Sequence, residues 1–116
     1  MRLVPVLVAL CLAGPANAWS AELLMLEQAG CAWCKRWHEE IGVAYPKTVE
    51  GQNAPLRRVD INKPWPQDLA DIRPERFTPT FVLVEDGKEI GRLRGYAGDQ
   101  FFWPLLAELQ ALADKE

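Results

Sequence analysis

The sequence predicts a single α/β domain, a central mixed β-sheet with helices on both of its faces. Three observations predict it. In the first half of the chain, apolar runs of strand length alternate with a stretch of helical period, the pattern of parallel strands joined by right-handed crossovers. Asp86-Gly87 then marks a tight turn between two further strand-like runs, which adds an antiparallel hairpin. A last amphipathic stretch supplies a closing helix to cover the sheet.

The start of the 116-residue chain reads differently from the rest. Arg2 gives a short basic opening, and residues 3–12 form an apolar run. Gly14 and Pro15 break that run, and Ala16-Asn17-Ala18 has the small-x-small form of a cleavage site. The apolar run is well short of the roughly 20 residues that cross a bilayer. We therefore expect a signal peptide over residues 1–18, a cut before Trp19, export, and one domain over residues 19–116. The alternatives are an uncleaved anchor or a buried strand. Cys11 follows bulky Leu10, where a lipidation site needs a small residue, and is expected to leave with the signal.

The formal net charge of −3 argues against a nucleic-acid partner. Without Cys11, the cysteines that remain are Cys31 and Cys34. A bridge between them closes so small a loop that it restrains the unfolded chain little. A structural staple is thus a poor account of the pair, and redox chemistry a better one.

The elements follow in order. Residues 22–28 are mainly apolar and read as a buried strand, broken by Ala29-Gly30. Residues 32–45 read as a helix stopped before Pro46, with Trp33, Trp37, Ile41 and Ala44 on one face. Residues 47–55 are polar and loop-like, and residues 56–61 form a second strand. A proline-punctuated connection at residues 62–66 leads to a short helix at residues 67–72. Trp65, between two prolines, is a contact residue or a packed plug. Residues 80–84 are a strongly apolar, central strand, and residues 89–94 pair back on it. The last helix runs to about Asp114 and is expected to bury Phe102, Leu105, Leu106, Leu109 and Leu112. Pro104 is tolerated only in a first turn, so that helix starts late or kinks near Trp103.

Cys31 and Cys34 flank Ala32-Trp33 at the end of the first strand, where the first helix opens. Unpaired N–H groups and the helix dipole at that position stabilise a thiolate, the attacking species in disulfide exchange. Cys31 is accordingly assigned as nucleophile. Cys34, one turn on and toward the core, is assigned as the thiol that resolves the mixed disulfide. A structural zinc site needs about four ligands, and this pair supplies two. Trp33 either packs on the helix or offers an aromatic contact to a peptide. His38 lies one turn beyond Cys34 and is a proton acceptor, a third metal ligand, or an exposed helix residue. Thr78-Pro79 stands before the apolar strand and by itself is simply a strand start. Gly91 and Gly95 flank the last strand as packing and turn residues or as sites of close approach.

Strand, Cys-x-x-Cys helix, X-Pro strand and terminal helix, in this order, resemble the thioredoxin superfamily, here in a minimal form lacking the extra N-terminal strand and helix. The resemblance implies that Pro79 is cis and near Cys31, and that Thr78 and Pro79 position the substrate peptide. Thioredoxin carries a buried acid six residues before its first cysteine, where this chain has Met25. Glu27, His38 or water are then the candidate proton acceptors for Cys34. The aromatic before the second cysteine and the Thr before the proline are similar to periplasmic disulfide isomerases.

Residues 30–37, 54–61, 77–83 and 91–103 also resemble the periplasmic thioredoxins of bacterial sulfur-oxidation (Sox) systems. That resemblance implies a reductase that clears a blocked cysteine on a sulfur-oxidation carrier protein, with electrons from a membrane thiol transporter and no cofactor. A general or cytochrome-c-maturation disulfide reductase is the alternative within the same chemistry. A copper or zinc carrier using Cys31, Cys34 and His38 is the alternative from another class.

Overall fold

The computed structural model describes residues 21–114, together with Arg2 and Leu3. The expected cleavage site, Cys11 and the remainder of the expected signal lie outside the described residues.

Four strands form one sheet in the order β2-β1-β3-β4. They are β1 (Ala21–Glu27), β2 (Leu56–Asp60), β3 (Thr80–Glu85) and β4 (Lys88–Arg94). β1 pairs parallel with β2 and antiparallel with β3, and β3 pairs antiparallel with β4. The two central strands are apolar nearly end to end because both of their faces are covered. At the hairpin, Asp86 and Gly87 both adopt positive φ (52° and 77°), the twist that suits a two-residue connection.

Alternation along the strands sends side chains to two separate cores. Leu23, Met25, Phe81 and Leu83 point to one face and pack with Cys34, Trp37, Tyr45, Phe102 and Leu106. The helices α1 (Ala32–Trp37), α2 (Val49–Asn53) and α3 (Asp99–Ala113) supply that cover. Leu24, Leu26, Val59, Val82 and Val84 point to the other face. There the cover is a single 3-10 turn (Gln67–Leu69) with Ile72 and the proline-rich connection. Trp65 is a plug in this second core, its indole N–H donating to the Leu69 carbonyl at 2.8 Å. Trp37 centres the first core, with Phe81 and Phe102 rings 5.2 and 5.7 Å away. Burying a side chain of this class stabilises the fold by about 1.5–3 kcal/mol.

Several local expectations need correction, among them the short helix at residues 67–72, which is the 3-10 turn Gln67–Leu69 alone. The helix expected over residues 32–45 is α-helical only to Trp37 and continues as a π-helical turn, His38–Gly42. Gly42 lies so close to the preceding turn that a Cβ there would sit 3.2 Å from His38 Nδ1. As a result Ala44 is exposed rather than on the buried face. The stretch expected as loop at residues 47–55 holds α2, which Thr48 caps: its Oγ1 accepts from the Gly51 N–H at 3.0 Å.

In α3, Phe102, Leu106, Leu109 and Ala113 are buried, whereas Leu105 and Leu112 are about half exposed. The helix starts at Asp99, with Pro104 inside it, and the buried residues recur at spacings of four, three and four, one face of a 3.6-residue period. Pro104 is itself exposed, and the carbonyl it leaves without a donor belongs to exposed Gln100 in the first turn. Gly91 is a packing residue, since a Cβ there would approach Leu109 Cδ2 to 2.6 Å.

Candidate active site

β1 ends at Glu27, and Gln28, Ala29 and Gly30 turn the chain into α1. Gly30 takes φ 79°, which a side chain would resist. This turn places Cys31 as the N-cap of α1, with extended backbone (φ −78°, ψ 102°). Its Sγ accepts from the Cys34 N–H at 3.1 Å, so a sulfur occupies the usual place of a capping oxygen. Cys31 and Cys34 are joined by a disulfide. Cys31 is half-buried, and Cys34 is buried among the first core.

The segment before β3 is tied to this turn. The Gln28 amide N–H donates to Thr78 Oγ1 at 2.9 Å, and its carbonyl oxygen accepts from Asn62 at 3.3 Å. The Thr78–Pro79 peptide bond is cis. The Pro79 carbonyl accepts from the Gly95 N–H at 2.7 Å, which locks the loop after β4 beside it. Gly95 has φ 89°, and a Cβ there would meet the Phe77 ring at 3.2 Å. Trp33, Phe77, Pro79, Gly95, Phe101 and Leu105 line a groove of about 500 Å³. Trp33 is half exposed at its edge, so of its two readings the structure rejects burial on the helix face.

On the other side of the disulfide, Glu27, His38 and Arg58 share a second cavity with Cys31 and Cys34. His38 Nε2 lies 3.2 Å from Glu27 Oε1. Arg58 donates to both oxygens of the same carboxylate, at 2.7 and 2.9 Å. Burial pushes the Glu27 carboxyl up, but the Arg58 and His38 hydrogen bonds outweigh it and hold the group below its ordinary value of 4.5. Met25, in place of a buried acid, is fully buried in the first core.

Among the described residues, no three His, Cys, Asp or Glu side chains gather where they could hold a metal. His38 engages Glu27 through its Nε2. Sequence reasoning missed Gln28 and Arg58 as parts of this site, whereas Gly95 was already a candidate for a turn or a close approach. Gln28 and Arg58 carry no local pattern, and their roles arise only where the strands meet.

By fold and sequence together, the chain is similar to the periplasmic thioredoxin SoxS from Paracoccus pantotrophus, solved in its reduced form. The two share 50% identity over 80% of this chain and 98% of that one, with a TM-score of 0.77. This chain belongs to the thioredoxin superfamily. The fold is shared with more distant thioredoxins. That of Malassezia sympodialis is 22% identical over 78% of this chain and 75% of its own, with a TM-score of 0.57. That of Fasciola hepatica is 20% identical over 76% and 79%, also with a TM-score of 0.57. No protein-family model matches the sequence, and no curated protein matches it. As a thioredoxin with Cys31 and Cys34 in a disulfide, the protein is a thiol–disulfide oxidoreductase.

Proposed function

We propose that this thioredoxin is a periplasmic disulfide reductase that keeps a carrier protein of sulfur oxidation active. The observation that carries the reductase reading is the asymmetry of the cysteine pair. Cys31 caps the helix and is half-buried, whereas Cys34 is buried. Similarity to the SoxS thioredoxin supports the finer role and the periplasmic setting. Export follows from the signal peptide read over residues 1–18, with the domain at residues 19–116.

In the reduced protein, the Cys31 thiolate attacks one sulfur of the substrate disulfide. A mixed disulfide forms and a substrate thiolate leaves. The Cys34 thiolate then attacks Cys31 Sγ, and the second substrate sulfur departs as a thiolate. Two electrons pass from the cysteine pair to the substrate, and the pair is left as the disulfide. A membrane thiol transporter returns two electrons by the same exchange, so no cofactor is required. Thr78 and Pro79 position the substrate backbone, and Trp33 contacts its side chains. His38 accepts the Cys34 proton, and Glu27, ionised and held by Arg58, orients the imidazole.

The test is a Cys34→Ser variant expressed in cells that oxidise thiosulfate. It is expected to accumulate a reductant-cleavable adduct through Cys31 with a sulfur-oxidation carrier protein, absent from Cys31→Ser. An adduct only with cytochrome-c-maturation proteins would move the role to that alternative. No adduct at all would remove the reductase reading. A reduction potential near that of thioredoxin, about −270 mV, is expected for the couple.

A further inference from the structure

Two aromatic rings stand at the edges of the groove, and each carries an arginine on its face. The Arg36 guanidinium carbon is 5.3 Å from the Trp33 ring centroid, and that of Arg94 is 5.1 Å from the Phe77 centroid. Both rings are half exposed, at 51% each.

Each arginine is held by a carboxylate that is itself anchored. Arg36 Nε donates to Glu40 at 3.1 Å, and the other Glu40 oxygen accepts from the Tyr96 hydroxyl at 2.6 Å. Arg94 pairs with Glu75 at 3.2 Å, and Glu75 also faces Arg92. A guanidinium has five N–H donors in a fixed fork, and these pairs use a minority of them. The Arg36 side chain remains 49% exposed and that of Arg94 60% exposed.

The described lining of the groove contains no carboxylate, in a chain with 16 acidic residues. The site thus combines an apolar floor with a cation above each aromatic edge. We propose that the groove selects a partner segment whose target cysteine has an apolar neighbour and carboxylate side chains on both flanks, docking on Arg36 and Arg94. This rests on the reading of the groove beside Thr78-Pro79 as the substrate site. It adds a substrate class to that reading. Glu40 and Glu75 already neutralise part of each charge, and both contacts are exposed. The preference is accordingly modest, about three- to tenfold, and salt-sensitive.

The experiment uses the reduced full-length thioredoxin and three disulfide-bridged peptides. They share length and an apolar residue beside the cysteine, and their flanks are Glu, Gln or Lys. The value of kcat/KM is expected to fall in the order Glu, Gln, Lys at low salt and to converge in about 1 M salt, where screening acts over about 3 Å. Arg36→Gln and Arg94→Gln are each expected to bring the Glu-to-Gln ratio toward one, and Arg94→Glu to favour the Lys peptide. Lys47→Gln, outside the groove, leaves the ratio in place. Equal kcat/KM for all three peptides would overturn the charge preference and leave the substrate-site reading standing. Reduction of a small-molecule disulfide with none of the peptides turned over would overturn both.

Discussion

The imidazole of His38 and the carboxylate of Glu27 meet at 3.2 Å beside the cysteine pair, with Arg58 closing the far side of the carboxylate at 2.7 Å. The arrangement has a consequence for stability against acid. The folded-state pKa of Glu27 is depressed, since the Arg58 and His38 bonds overcome burial. A depressed carboxyl contributes stability that is present above its unfolded value and is lost as pH falls through the folded value. The wild type should therefore lose stability as pH drops below 4.5. Glu27→Gln should cost about 1 kcal/mol at neutral pH and give a flatter profile below it. Urea midpoints across this range check it; parallel profiles for the two proteins would show that the carboxylate contributes nothing.

The same pair bears on catalysis. Lys35, Glu39, Arg58 and Asp60 also line the cavity, and His38 brings to it an imidazole, whose two ring nitrogens can each donate or accept a proton. If it takes the Cys34 proton, His38→Gln slows resolution of the mixed disulfide by at least about tenfold near pH 7, leaving attack by Cys31 intact. Rapid-quench analysis would then find the mixed disulfide accumulating. Unchanged resolution in the variant would return His38 to a purely structural part.

Gln28 gives a third prediction. Its amide bonds both Thr78 and Asn62, and so fixes the loop before β3 to the turn that presents Cys31. Gln28→Ala frees Thr78 without touching either cysteine. KM for a peptide disulfide should rise about three- to tenfold, in line with the loss of about one hydrogen bond, with kcat little changed. Gln28→Glu restores an acceptor for Asn62 but no donor for Thr78, and should not rescue KM. A fall in kcat at constant KM would place Gln28 in the chemistry rather than in positioning.

The strands, the mixed character of the sheet and the cysteine pair were legible because they rest on strong local signals. Unbroken apolar runs at Leu23–Leu26 and Phe81–Val84, and Asp86-Gly87 between two strands, leave few alternatives. The helix after Cys34 was less legible. Gly42 lies within it, and its close contact with His38 accompanies the change from α to π winding. For α2, a helix of five residues has almost no periodicity to detect. Leu105 and Leu112 flank the buried face set by Phe102, Leu106, Leu109 and Ala113, and an apolar stripe this wide does not say which edge is exposed; Pro104 pointed to a later start than Asp99. The clamp on Glu27 joins residues from β1, the π turn and β2, and such a meeting has no signature in sequence spacing.

Gly51 and Gly91 give a paired test of packing against backbone and against side chain. A Cβ on Gly51 would lie 1.8 Å from the Tyr45 carbonyl oxygen and 2.7 Å from its carbon. Neither atom can step aside. Thr48 Oγ1 donates to that same carbonyl at 2.7 Å, and the Tyr45 hydroxyl donates to the Ala54 carbonyl at 2.6 Å. Gly51→Ala must therefore push α2 away from Tyr45 and break this frame, a cost of about 2–4 kcal/mol. A Cβ on Gly91 would meet only the Leu109 Cδ2 methyl, at 2.6 Å. That methyl ends a flexible side chain, and replacing a strand glycine by alanine recovers about 0.5–1 kcal/mol of chain entropy. Gly91→Ala should thus stay within about 1 kcal/mol of wild type. Urea unfolding of both variants decides it: a Gly51→Ala protein as stable as Gly91→Ala would mean that α2 is not packed against the Tyr45 backbone as described.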